Sequence, residues 1–77
     1  MKERIIKILT DTRPEFDFTE DLNYIEEGMF DSFDIVSLVT SLDEEFGISI
    51  DGVDIIPENF STFDSIKQLL IKNGAVE

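Results

Sequence analysis

Read from its first residue, the chain places Ile5, Ile6, Ile8 and Leu9 at mixed spacings of three and four, which gathers them on one face of a helix. Pro14 disfavours helical backbone just before it, so the pattern predicts a first helix over roughly residues 2 to 12. No period is sustained from Pro14 to Asp31, yet Phe16, Phe18, Leu22, Tyr24 and Ile25 are too apolar for a solvated loop. That stretch is expected to be a long connection packed over the helices, and loops of such length in small domains often carry function. The period returns between Ser32 and Phe46, where Ile35, Leu38, Val39, Leu42 and Phe46 recur at i, i+3, i+4, i+7 and i+11, the stripe of an amphipathic helix. Asp31 stands where it would cap that helix, Asp34 adds negative charge to its first turn, and Gly47 is its natural stop.

Ile48-Ser49-Ile50 alternates too briefly to predict a strand. Pro57 is tolerated only in a helix's first turn, so residues 54–59 hold at most one or two turns. Ser61 is positioned to cap a last helix that carries Phe63, Ile66, Leu69 and Leu70 on one face, with Asp64 in its first turn, Lys67 and Lys72 further along and Gly74 past its end. The expected fold is all-α: a small antiparallel four-helix bundle, with three main helices, one short one and a long loop between helices 1 and 2. A single domain over residues 1–77 accounts for the whole pattern.

Composition narrows the chemistry. The chain has 77 residues, no Cys, no His and no Trp. A chain of this size buries about 60 to 65% of the surface that its unfolded form exposes, enough for one modest core but not for a core and a deep cleft, so an autonomous enzyme is not expected. A histidine general base, a thiol nucleophile, a disulfide and a His- or Cys-ligated metal are excluded by the missing residues. Eighteen acidic against six basic side chains give a net charge of -12. From Pro14 to Ile66 there are 15 Asp or Glu and no Lys or Arg, between flanks of +2 and +1. That distribution opposes binding to nucleic acid or to an anionic membrane surface, and favours a basic protein partner. It also predicts self-repulsion that salt would relieve. The 42% hydrophobic content, with seven Phe, argues for a packed core rather than disorder. No apolar run reaches the length of a signal segment or a membrane span, so a cytoplasmic monomer is expected.

Most candidate sites fail on spacing. Asp51-Gly52-Val53-Asp54 lacks the alternation and closing Glu of a calcium-binding loop, and no metal site is expected. Gly28, Gly47, Gly52 and Gly74 are scattered singly, without the lysine of a phosphate-cradling loop. One segment remains: Gly28-Met29-Phe30-Asp31-Ser32-Phe33-Asp34, a turn that runs directly into the second helix. With Asp31 as the cap, the Ser32 hydroxyl would be exposed at the helix N-terminus, where the dipole suits an attached anion. A simple helix-capping serine is the plain alternative.

Asp31-Ser32-Phe33, with a glycine three residues before it and Leu42-Asp43-Glu44-Glu45-Phe46 at the end of the following helix, resembles the Asp-Ser-Leu motif of acyl and peptidyl carrier proteins. The resemblance spans essentially the whole chain. It implies a non-catalytic carrier whose Ser32, beside Asp31, bears 4′-phosphopantetheine and tethers acyl or aminoacyl groups as thioesters. It implies as partners a phosphopantetheinyl transferase, which supplies its own base and metal, an acyl- or aminoacyl-activating ligase, and acyltransferases or synthases with basic docking surfaces. By the same resemblance Phe33, Val36 and Thr40 are presented to partners, while Asp31, Asp34, Asp43 and Glu44 meet their basic residues. Phe33 replaces the usual Leu, Ser37 stands where fatty-acid carriers often have an acid, and Asp31-Ser32-Phe33 with Val36-Ser37-Leu38 is more similar to D-alanyl carrier proteins. Phe30, Phe33, Phe60 and Phe63 either belong to plain core or border an interior with room for cargo. The competing function is an acidic interaction module without a prosthetic group.

Overall fold

Three α-helices form where the apolar period places them, α1 over Lys2–Thr12, α2 over Ser32–Phe46 and α3 over Phe63–Lys72, in a computed structural model that describes residues 1–76. Glu77, included in the expected domain, lies outside the described residues, among which there is no strand. Ile5, Ile8 and Leu9 of α1, Ile35, Leu38 and Leu42 of α2, and Ile66, Leu69 and Leu70 of α3 are buried in one shared core. The radius of gyration is 11.1 Å, against the roughly 11.5 Å that a packed chain of this length has. The acidic middle of the sequence is therefore folded, not extended by its own charge.

Ion pairs at both ends fix the relation of α1 to α2. Arg4, in the first turn of α1, holds Glu45 in the last turn of α2 at 2.7 Å. Its guanidinium also lies 4.2 Å from the centroid of the Phe46 ring. At the other end Arg13, the residue that caps α1, reaches Asp34 in the first turn of α2 at 2.7 Å. The two helices thus run in opposite directions, and the C-terminal end of α1 is tied to the start of α2.

The long connection is part of the core, as its apolar content predicts. Phe18 and Tyr24 are fully covered, and with Phe30 they form a ring cluster: Phe18 stacks on Phe30 at 5.2 Å, and Tyr24 meets Phe18 edge-on at 5.3 Å. The amide of Tyr24 donates to the carbonyl of Ser61, which fastens the connection to the approach of α3.

Two local expectations are corrected. The short fourth helix is a pair of 3₁₀ turns, Gly52–Asp54 and Pro57–Phe60. The Asp51 carboxylate accepts from the Val53 amide to start the first turn, and Pro57 opens the second. Asp54 then points inward to Lys72 of α3 at 2.8 Å, which anchors the turns where no helical apolar period exists to do so. Ser61 does not cap α3. Its hydroxyl donates back to the carbonyl of Glu58 at 2.7 Å, and the capping oxygen is that of Thr62, which accepts from the Ser65 amide at 3.0 Å.

Candidate functional site

The approach to α2 is built by short-range bonds. The Asn23 carboxamide oxygen accepts from the amides of Ile25 and Glu26, and the Met29 amide donates to the carbonyl of Tyr24 at 2.8 Å. Gly28 closes this turn at φ 70°, a conformation that costs a side-chain-bearing residue strain. Met29 and Phe30 then enter the core, while the next three residues, Asp31, Ser32 and Phe33, are exposed. A buried anchor next to an exposed helix start presents Ser32 in one fixed place.

The cap is reciprocal. The Asp31 carboxylate accepts from the Asp34 amide at 2.9 Å, and the Asp34 carboxylate accepts from the Asp31 amide at 2.9 Å. Because Asp31 takes the capping role, the Ser32 hydroxyl is exposed and makes no hydrogen bond among the described residues. The carbonyl of Asp31 takes the Ile35 amide, so the first-turn amides left over are those of Ser32 and Phe33. These free donors, at the positive end of the helix dipole, fit a phosphodiester on the Ser32 oxygen.

The acidic residues singled out from sequence do not form one open surface. Asp34 is mostly covered, with its side chain 14% exposed and paired to Arg13. Burial pushes its carboxyl up, but the hydrogen bond and charge of Arg13, together with the Asp31 amide, hold it below the usual carboxylate range. Asp43 turns toward its own chain and accepts from the Ile50 amide at 3.0 Å, tethering the segment after α2. Asp31 and Glu44 are exposed. Of the apolar positions, Phe33 is 85% and Val36 62% exposed, and Thr40 is open beside them on the outer face of α2. Phe33 therefore borders no interior; Phe30 and Phe60 are buried and Phe63 is half-buried.

Some contributors were not singled out from sequence. Arg13 binds Asp34, Asp31 at 3.4 Å and Glu15 at 3.3 Å; its pKa is raised by the hydrogen bond to Asp34 most of all and by Glu15 after it. Its sequence signal was its position as the last cation before the long acid-only stretch. Val53 and Ile56 are exposed apolar residues of the segment that contains the 3₁₀ turns. No period marks such a turn's outer face, so only the fold reveals them.

One surface groove is lined by Asp54, Asp64, Gln68 and Lys72 among others, a second by Lys2, Ile6, Phe18 and Thr19 among others, and Ser32 lines neither. No group of acidic residues among the described residues is arranged to hold a metal ion, and no described helix is long and apolar enough to cross a membrane. A family model described as the phosphopantetheine attachment site matches residues 3–70. No curated protein and no solved structure matches the chain.

Proposed function

The chain belongs to the phosphopantetheine attachment-site family, a family of carriers of covalent 4′-phosphopantetheine, and from that premise we propose that Ser32 is the attachment residue and that the chain passes acyl or aminoacyl groups between enzymes. The observation that carries this reading is the Ser32 hydroxyl, exposed and unbonded at the first position of α2 because Asp31 has taken the cap. Loading forms a bond from the Ser32 oxygen to phosphorus and breaks the pyrophosphate bond of coenzyme A. Adenosine bisphosphate leaves, and the hydroxyl proton passes to a base on the transferase. Once attached, the arm supplies a terminal thiol that holds cargo as a thioester.

The chain's own residues position and present. Asp31 and Asp34 lock the turn, Met29 and Phe30 anchor it, and the amides of Ser32 and Phe33 face the phosphodiester. Phe33, Val36 and Thr40 offer an apolar strip to a transferase, an activating ligase or a synthase, with Asp31 and Glu44 meeting basic residues on those partners. Asp34 and Asp43 serve the same surface by holding its backbone in place. Tethering raises the local concentration of cargo at a partner's active site, and the surplus negative charge steers basic partners in. The packed rings of Phe18, Tyr24 and Phe30 fill the interior near the start of α2, which supports a cargo held outside the bundle; the D-alanyl-like motif points to a small aminoacyl group. Residues 1–77 act as one cytoplasmic, monomeric carrier unit, with the two 3₁₀ turns standing in for the short helix of an antiparallel four-helix layout.

The test is intact mass after incubation with coenzyme A, magnesium and a broad-specificity phosphopantetheinyl transferase. The expected result is a gain of one phosphopantetheine in the wild type and none in Ser32→Ala. A folded wild type left unmodified by several such transferases would turn the reading to an acidic interaction module.

A further inference from the structure

Arg13 is the basic residue at the Ser32 end of the α1–α2 pair, and no Lys or Arg follows it until Lys67. Its guanidinium faces three carboxylates: Asp34 at 2.7 Å, Glu15 at 3.3 Å and Asp31 at 3.4 Å. These contacts are unequal. Asp34 is mostly covered and also tied to the Asp31 amide, whereas the Asp31 carboxylate is 60% exposed and spends its other oxygen on the cap. A phosphodiester on Ser32 brings one more negative charge to the residue directly after Asp31, at an end of the molecule that already carries three carboxylates for one cation.

We propose that Arg13 is the counter-ion of the phosphodiester: on loading it keeps its short bond to Asp34 and transfers its looser contact from Asp31 to a phosphate oxygen, so that the root of the arm is held against the C-terminal end of α1. The proposal rests on Ser32 as the attachment residue. A guanidinium suits this exchange because it presents several donors in one plane, enough to keep Asp34 on one edge while binding phosphate on another. Lysine, a single compact charge, would have to choose. Arg13 acts as a positioning residue and takes no part in the chemistry of loading.

The experiment uses apo and loaded protein with Arg13, Arg13→Lys and Arg13→Gln, each form verified by intact mass beside Ser32→Ala. In the wild type, loading is expected to move the Arg13 side-chain NH resonances, slow their exchange with water and shift the phosphorus resonance relative to loaded Arg13→Gln. At low salt the change in Tm on loading should be about 2 to 4 °C more favourable in the wild type than in Arg13→Gln, with Arg13→Lys between them. Unmoved Arg13 resonances together with the same loading shift in all three proteins overturn the proposal while leaving Ser32 as the site. A wild type that gains no mass, or a Ser32→Ala variant that does gain it, overturns both readings. The resonance measurement is made on the wild type, so it decides even where a variant folds poorly.

Discussion

Two side chains show how a neighbourhood sets the behaviour of a single group. Tyr24 is fully buried among Phe18 and Phe30, and its hydroxyl has no protein partner among the described residues. Burial, with a smaller push from the charge of Asp21, raises its pKa. The unfolded chain therefore ionises this phenol at a lower pH than the folded one, and stability falls as pH rises through the ordinary tyrosine value. Tyr24→Phe is expected to have an unchanged or higher Tm at pH 7 and to stay folded further into alkali, followed by circular dichroism. In the wild type, whose only tyrosine this is, tyrosinate absorbance should appear with unfolding. Asp34 has the opposite sign. Its folded-state pKa is depressed, so its contribution is fully present above the ordinary carboxylate value and is lost as pH falls through the lowered one. Asp34→Asn should lower Tm by about 5 °C at neutral pH, and the gap to the wild type should narrow on acidification. A gap that is constant with pH would show that the Arg13 pairing contributes nothing.

Among the elements, the boundaries of α3 separate local pattern from local bonding. Ser61 and Thr62 are adjacent hydroxyl residues before the same apolar stripe, and sequence alone favoured Ser61. The backbone of Thr62 is extended, as a capping residue requires, whereas Ser61 is already in the helical region as the end of the preceding 3₁₀ turn. Thr62→Ala is expected to cost about 1 kcal/mol in a denaturant melt, and Ser61→Ala no more than about 0.5 kcal/mol. Equal losses would mean that the two hydroxyls share the cap. The start of α2 shows the same logic: a cap filled by Asp31 leaves Ser32 a free hydroxyl, and a reciprocal bond from Asp34 keeps Asp31 there. The stops are equally local, with Gly47 in the left-handed region at φ 63° where α2 ends.

For the molecule as a whole, charge and packing oppose each other. With a net charge of -12, and with Arg4, Arg13 and Lys72 already engaged by Glu45, Asp34 and Asp54, the remaining acids far outnumber the remaining cations on a body 28 by 24 by 18 Å. Screening weakens the exposed ion pairs, each worth at most about 1 kcal/mol, but relieves a larger number of repulsions. Tm is therefore expected to rise by several degrees between low salt and about 0.5 M sodium chloride; a flat or falling curve would mean that the ion pairs carry more stability than the excess charge removes. The sequence by itself determined the three α-helices and the packing of Phe16, Phe18, Leu22, Tyr24 and Ile25 against the core, and it singled out the segment from Gly28 to Asp34 as the candidate site. It could do so because helical period, capping chemistry and the glycine turn are all set within a few residues of chain. Only the tertiary structure decided that Arg13 closes over the start of α2, that Asp34 and Asp43 face inward, that Phe33 stands in solvent, and that Asp54 pins two 3₁₀ turns in place of a fourth helix. The placements of Arg13 with Asp34, of Asp43 and of Asp54 depend on groups 7 to 21 residues apart meeting in space, and no local period records which charge will find which partner once the core has formed.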